Sequence, residues 1–289
     1  MKIAIYGNEY QKDYLALLAD FFASLAGNNI RAEIEASFFD YLSSVLPAPP
    51  QVCDVIHGDR FTATLALSIG GDGTFLKTAE WVGDKQIPIL GINTGHLGYL
   101  ADVPIGEIDH LPDDIINRRF KIEERSMIEV STENGSLTGW PYALNEVAIL
   151  KQDTASMISA KTEINGIALT TYLGDGLIVS TPTGSTGYNL SVGGPIIEPS
   201  TPSWVISPIA AHSLTMRPLV VNDSSVIKIT TTSRASSFRI SLDGRSVSLP
   251  AGTVVTLRKA PFPIRVVQRL DHHFSDTLRS KLLWGIDKR

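Results

Sequence analysis

The run Gly70-Gly71-Asp72-Gly73-Thr74 sets one carboxylate among glycines. Glycine permits positive φ and close backbone approach. Successive N–H groups leading into a helix can cradle a phosphate. A carboxylate repels phosphate, so Asp72 needs another duty. It can hold a divalent metal or accept a proton from an attacking hydroxyl, and both belong to phosphoryl transfer. The plainer alternative is a tight turn in which Asp72 caps the helix. Lys77, one turn further on, either faces phosphates or is a solvated surface lysine.

Two further stretches carry polar side chains in unusual places. Asn145-Glu146 puts an amide beside a carboxylate in an apolar strand, where alternation sends them to opposite faces unless the strand ends there. Such a pair is either an exposed edge or a set of hydrogen-bonding groups for a base and ribose hydroxyls. The segment Gly174 to Ser191 opens from a β run, Leu177 to Val179, into small hydroxyl and glycine residues. Thr183, Ser185, Thr186 and Ser191 offer uncharged donors and acceptors to a flat ligand such as a dinucleotide. Asp175 supplies a carboxylate for a nicotinamide amide or a ribose. A purely structural turn is the competing reading. Other signatures are missing: there is no Walker-type phosphate loop, no protein-kinase His-Arg-Asp or Asp-Phe-Gly, no Gly-x-Gly-x-x-Gly after a strand and no His-Glu-x-x-His. His272 and His273 are adjacent, which suits chelation poorly.

Strands and helices must position these groups. Lys2 to Tyr6 reads as a strand and Tyr10 to Ala26 as a helix with its stripe at Leu15, Leu18, Phe22 and Leu25. Ile30 to Ile34, Ala63 to Ile69 and Ile87 to Ile92 read as strands, and Phe75 to Val82 as a helix. That rhythm predicts a parallel sheet flanked by helices, with the glycine loop at a carboxyl end. Ile105 to Arg118 reads as one more helix, with Pro112 as a caution. Beyond Phe120 the pattern is mostly β. Asn165-Gly166 and Asp243-Gly244 signal type I′ hairpins. Ser275 to Leu283 reads as a short helix capped by Ser275. The expected organisation is an N-terminal α/β domain over 1–102, a β-rich domain over 103–270, and a C-terminal helix within 271–289 returning to the first domain.

Composition narrows the class. The chain has 289 residues, a formal net charge of −5 and 19% charged residues. The charge disfavours nucleic acid and anionic lipid as partners. Cys53 is the one cysteine, so an internal disulfide is excluded, and a buried apolar role fits it better than a catalytic one. Neither a signal peptide nor a membrane-length apolar stretch is evident, which predicts a cytoplasmic protein.

Together these elements resemble the NAD kinase family. The matching stretches are Gly70 to Thr74, Asn145-Glu146, and Gly174-Asp175-Gly176 continuing through Thr181 to Tyr188 and Gly193-Gly194-Pro195. Gly91 to Leu100, Ile206 to Leu214 and Arg217-Pro218-Leu219 also look like the family. The glycine loop alone occurs in diacylglycerol-type lipid kinases and phosphofructokinases, whereas Thr181-Pro182-Thr183-Gly184-Ser185-Thr186 in this combination is specific. The resemblance implies two domains with the active site between them, and transfer of the terminal phosphoryl group of ATP, sometimes polyphosphate, to the adenosine 2′-hydroxyl of NAD. A divalent metal, Mg2+, is implied, without assigned ligands.

Carried over by the resemblance, Asp72 accepts the hydroxyl proton. Glu146 holds the ribose, Asn145, Thr183 and Thr186 the adenine side, and Asp175 the nicotinamide end. Gly187 and Ser191 line the pocket. Gly73, Lys77, Tyr188, Asn189, Leu190 and Arg245 complete the expected NAD contacts, and Gly70, Gly71, Gly73 and Thr74 the ATP phosphate loop. A homodimer or homotetramer is implied, a neighbouring subunit completing part of the NAD site. Three positions depart from the family: Leu173 where many members have Arg, Gly187 where many have Ala, and Arg245 where Gln is common. Arg245 therefore offers a positive contact to phosphate. The alternatives are a lipid or other small-molecule kinase, or an NAD-binding sensor without catalysis.

Overall fold

The computed structural model describes residues 1–95, 98–137, 139–152, 156–270 and 273–285. His96 and Leu97 of the Gly91 to Leu100 motif, and His272, lie outside the described residues. In chain order the elements are β1 (Lys2–Gly7), α1 (Leu15–Gly27), β2 (Arg31–Glu35), α2 (Ala36–Val45), β3 (Asp54–Ile56), β4 (Leu65–Gly70), α3 (Asp72–Val82), β5 (Ile89–Asn93), β6 (Val103–Pro104), α4 (Leu111–Ile116) and β7 (Phe120–Arg125). There follow β8 (Ile128–Thr132), β9 (Gly135–Ser136), β10 (Tyr142–Ala143), β11 (Glu146–Lys151), β12 (Ile158–Ile164), β13 (Ile167–Gly174), β14 (Gly176–Ser180) and α5 (Tyr188–Ser191). The last are β15 (Ser203–Ile209), β16 (Leu219–Asn222), β17 (Ile227–Ser233), β18 (Ser237–Leu242), β19 (Arg245–Pro250), β20 (Val254–Lys259), β21 (Ile264–Arg269) and α6 (Phe274–Leu282).

The chain divides into two compact units, Met1–Glu124 with Ile264–Arg289, and Arg125–Pro263. In the first, the strand order is β3-β2-β1-β4-β5-β21-β7, with β6 beside β5. β1, β2, β3, β4, β5, β6 and β21 are joined by parallel pairings, as the apolar runs predict. Every residue of β4 and β5 is buried, the signature of a sheet covered on both faces. Leu18, Phe21, Phe22 and Leu25 of α1 enter the core at helical spacing. Cys53 is exposed, not buried as its type suggests, because it stands just before β3 at the edge of this sheet.

Several helices differ from the sequence reading: α2 has no counterpart there, and α3 starts at Asp72 and not at Phe75. α1 begins at Leu15, after a 3-10 turn over Lys12–Tyr14. The expected helix 105–118 is a 3-10 segment, Ile105–His110, followed by α4. Pro112 falls in the first turn of α4, where its missing N–H costs nothing; further inside it would clash with the preceding turn. α6 starts at Phe274 with His273 as N-cap, not Ser275. The His273 N–H donates to Asp276 at 3.1 Å in a capping box, which gives both residues a partner that Ser275 could not supply.

The second unit is all antiparallel among its described pairings. One sheet runs β10-β8-β20-β17-β12-β13 with β9 beside β8, the other β16-β15-β14-β11-β18-β19. Side chains from both sheets, among them Ile149, Leu177, Trp204, Ile229, Phe238 and Val255, share one core, so the sheets stack as a sandwich. Both expected hairpins are present: Asn165 and Gly166 have φ of 52° and 79°, Asp243 and Gly244 48° and 86°. Positive φ at both central residues defines the type I′ turn.

Candidate active site

The glycine segment of the first unit is a strand-to-helix junction more than a loop. Gly70 ends β4, Gly71 is the extended N-cap of α3, and Asp72 is already helical. A β-carbon on Gly70 would stand 2.2 Å from Thr74 Oγ1, so glycine is required there by close approach. Thr74 is buried and its hydroxyl accepts from Asn8 Nδ2 at 2.6 Å. Gln11 holds Asn8 in turn, Nε2 to Oδ1 at 2.7 Å. Thr74 thus tightens the junction through its side chain, a use the phosphate assignment did not anticipate.

Asp72 does not cap its own helix. Its carboxylate reaches the segment after β5: Oδ1 accepts from Tyr99 N–H at 3.1 Å and Leu100 N–H at 3.0 Å, and Oδ2 from Tyr99 N–H at 2.9 Å. Two oxygens offer about four lone-pair sites, so acceptor capacity remains. Gly73 and Lys77 are exposed on the same first turns. The first N–H groups of an α-helix have no intrahelical acceptor and attract anions.

In the second unit the structure gathers Asn145, Glu146, Thr183, Gly187 and Tyr188. Glu146 opens β11, opposite Ser180 at the end of β14, and Asn145 lies just before the strand. Strand alternation therefore does not govern the pair. The chain leaving β14 is tied to this corner: Thr181 N–H donates to Asn145 O at 2.9 Å and Thr181 Oγ1 to Leu144 O at 2.6 Å. A β-carbon on Gly184 would lie 2.1 Å from Asn145 O, so only glycine allows the two segments to touch. Gly187 is less crowded, its ideal β-carbon 3.1 Å from Glu146 Oε2.

Asn145 Oδ1 and Glu146 Oε2 are buried and accept no hydrogen bond among the described residues. Two unpartnered acceptor oxygens on adjacent residues suit hydroxyl and amino donors of a ligand. Burial pushes the Glu146 carboxyl up to about 7, the nearby Asp243 charge adds to the rise, and a Tyr188 backbone N–H opposes it.

Asp243 is the residue the sequence reading missed. Its carboxylate accepts from the N–H groups of Leu144, Asn145 and Glu146 at 2.6, 2.9 and 3.0 Å. Asp is common at this turn position for conformational reasons, and nothing in its neighbourhood says that it reaches back across the sheet.

Other expected ligand residues have different employment. Asn189 is fully buried, its Nδ2 donating to Ser185 O and Pro195 O at 3.1 Å each and its Oδ1 accepting from Ser207 at 2.6 Å. Its side chain braces the 185–195 turn. Arg245 is also engaged within its own unit: its guanidinium donates to Trp140 O at 2.8 Å and Tyr142 O at 2.6 Å. Asp175 pairs with Lys151 at 2.7 Å. It precedes β14, whereas Glu146 faces that strand's far end. At ~3.3 Å per residue the two are separated along the strand by roughly 16 Å. Thr186, Leu190 and Ser191 are partly or fully exposed, and Tyr188 is exposed.

Comparison with known proteins bears on both units. The model of the ATP-NAD kinase N-terminal domain matches residues 52–120, and that of the ATP-NAD kinase C-terminal domain residues 144–269. An NAD kinase of Bacteroides fragilis is 46% identical over 289 residues, covering all of both chains. One from Porphyromonas gingivalis is 43% identical over 98% of each. Among solved structures, yeast NADH kinase complexed with NADH aligns at a TM-score of 0.90 and 21% identity, over 100% of this chain and 89% of that one. An Archaeoglobus fulgidus NAD kinase in complex with ATP aligns at 0.73 and 23%, over 97% and 99%. The last two establish the shared fold, and the full-length identities with the matched models establish descent: this chain belongs to the NAD kinase family.

Proposed function

We propose that the protein transfers the terminal phosphoryl group of ATP to the adenosine 2′-hydroxyl of NAD, giving NADP. The observation that carries this reading is the pair of buried acceptor oxygens on Asn145 and Glu146, in a chain of this family. Glu146 accepts hydrogen bonds from ribose hydroxyls, and Asn145 one from an amino group of the base. Thr183 and Thr186 stand on the adjoining turn, and Gly187 leaves room beside Glu146.

Asp72 is the proton acceptor. A sugar hydroxyl is a weak nucleophile near neutrality, and a positioned carboxylate takes its proton as the O–P bond forms. The N–H bonds from Tyr99 and Leu100 fix that carboxylate, so little reorganisation accompanies the step. The N-terminal turn of α3 faces anionic phosphate favourably. Among the described residues no three His, Cys, Asp or Glu side chains converge on one point. The Mg2+ that phosphoryl transfer calls for would be held by waters and the nucleotide's own phosphates, an arrangement Mg2+ commonly adopts, with no ligand assigned to this chain. When bound, it neutralises charge on the phosphates during transfer.

The reading includes Asp175 at the nicotinamide end of the dinucleotide, and a homodimer or homotetramer in which a neighbouring subunit completes part of the NAD site. The separation of Asp175 from Glu146 along β14 is compatible with the two ends of one extended dinucleotide. A cytoplasmic location goes with the balanced composition and single cysteine; among the described residues no helix is long and apolar enough to cross a membrane. The test is incubation of purified protein with NAD, ATP and Mg2+, with NADP read by an NADP-specific dehydrogenase. NADP should accumulate with time and enzyme. No NADP from folded protein at any metal concentration overturns the function.

A further inference from the structure

The turn between β18 and β19 carries two ionic side chains that address one stretch of chain. Asp243 accepts from the N–H groups of Leu144, Asn145 and Glu146. Arg245 donates to the carbonyls of Trp140 and Tyr142. The segment from Trp140 to Glu146 is thus held by its carbonyls at one end and its N–H groups at the other. The Trp140, Tyr142 and Phe262 rings pack around the carbonyl end, with centroids 4.7 to 5.9 Å apart. Three N–H groups converging on one carboxylate also bend the chain just before β11, which leaves Asn145 outside the strand and Glu146 as its first residue.

We propose that Asp243 and Arg245 are positioning residues for the phosphoryl acceptor: their turn fixes where Asn145 and Glu146 present acceptor oxygens to NAD. The proposal rests on the function above. It deepens it by placing control of acceptor binding at a turn that holds the backbone of the site residues.

Asp243 is suited to this in a way its amide is not. Oδ2 serves Leu144 while Oδ1 serves both Asn145 and Glu146. In Asp243→Asn one of those oxygens becomes an NH2 group, so at least one N–H meets a donor and the corner must shift. The charge change acts as well. The groups facing Glu146 are the Asp243 carboxylate and the Tyr188 backbone N–H, with Arg245 beside Asp243. Removing the Asp243 charge lets Glu146 ionise at lower pH. A carboxylate that must accept ribose hydroxyls binds better when ionised, so KM for NAD in the wild type should fall as pH rises through about 7.

Asp243→Asn is measured for KM and kcat with NAD from pH 5.5 to 8.5, and for amide hydrogen exchange across residues 140–147. Expected are a KM roughly tenfold or more higher with a smaller change in kcat. The midpoint of the KM profile should move to lower pH, and exchange should quicken across the segment. A folded Asp243→Asn protein with wild-type KM, pH midpoint and exchange overturns the proposal. So does one with lowered melting temperature alone, which would make the turn merely structural. If Asp243→Asn fails to fold, Arg245→Gln decides: faster exchange at Tyr142 and a KM raised a few-fold are expected, and unchanged values overturn it. Hydrogen exchange needs no turnover, so a protein that made no NADP would defeat the function while the clamp was still judged.

Discussion

Asp72 is tied to Tyr99 and Leu100 by three N–H contacts, so its replacement must separate loss of a base from loss of an anchor. In Asp72→Asn the side-chain amide can turn its carbonyl oxygen toward Leu100 and Tyr99 and keep two of the three. It cannot take a proton. Asp72→Asn should therefore keep near wild-type NAD affinity by calorimetry while kcat falls about 10²-fold or more. Turnover close to wild type would remove the base from Asp72.

Glu146 makes a second prediction at this scale. Its carboxyl stands at about 7 in the fold against an ordinary 4.5. A carboxyl raised by folding stabilises the folded state below the unfolded value and loses that contribution as pH climbs through the folded one. The free protein should thus lose stability between about pH 4.5 and 7 from this group, by up to roughly 3 kcal/mol. Asp243, also raised by burial, adds a loss of the same sign. Glu146→Gln cannot ionise, so its stability relative to wild type should climb across that window in urea titrations. A constant difference would show that Glu146 is solvated. With NAD, the same variant should raise KM more than it lowers kcat, because the contact acts on ground and transition states alike.

The chemistry-bearing segments were legible at the level of elements, though their internal shapes were less so. Continuous apolar runs and helical patterns located the strands and helices around Asp72, because burial on both faces of β4 and β5 leaves an unmistakable apolar run. The glycine segment was read as a loop. Its glycines instead serve a junction so tight that Gly70 touches Thr74, and spacing alone does not distinguish those uses. Arg245 and Asn189, expected as ligand contacts from the resemblance and from a departure from it, also hold partners distant in sequence, Trp140, Tyr142 and Ser207, and such partners have no local signal. Gly184 tests the same principle. Its β-carbon would stand 2.1 Å from the Asn145 carbonyl oxygen, deep inside contact distance, and backbone cannot swing aside as a side chain does. Gly184→Ala should destabilise the second unit by about 1 to 3 kcal/mol and raise KM for NAD by displacing Asn145. An alanine variant with unchanged melting temperature and KM would mean that the 181–187 turn can move away without consequence to the Asn145 corner.

At the scale of the whole molecule, the first unit is discontinuous in sequence and the second is inserted into it. β8 and β20 pair with Lys259 opposite Ile128, and Ala260 N–H donates to Met127 O at 2.9 Å. The chain therefore enters and leaves the second unit side by side. β21 then returns to a position inside the first sheet, between β5 and β7. Nothing in the Ile264–Arg269 pattern says which sheet that strand joins; its alternation would fit either. The consequence is an unequal dependence on the C-terminal part of the chain. Ile264, Val266 and Val267 are at most 1% exposed, and burying three such side chains is worth about 5 to 8 kcal/mol, comparable with the whole stability of a domain. A chain stopped after Pro263 also strips β7 of its partner. The first unit should unfold, while the second keeps every strand of its sandwich. Limited proteolysis of the truncated chain should therefore remove the region before Arg125 and leave a resistant core near residues 125–263, still β by circular dichroism. Equal resistance of both parts would mean that the first sheet closes without its returning strand, and digestion of both would mean that the sandwich depends on the unit that surrounds it in sequence.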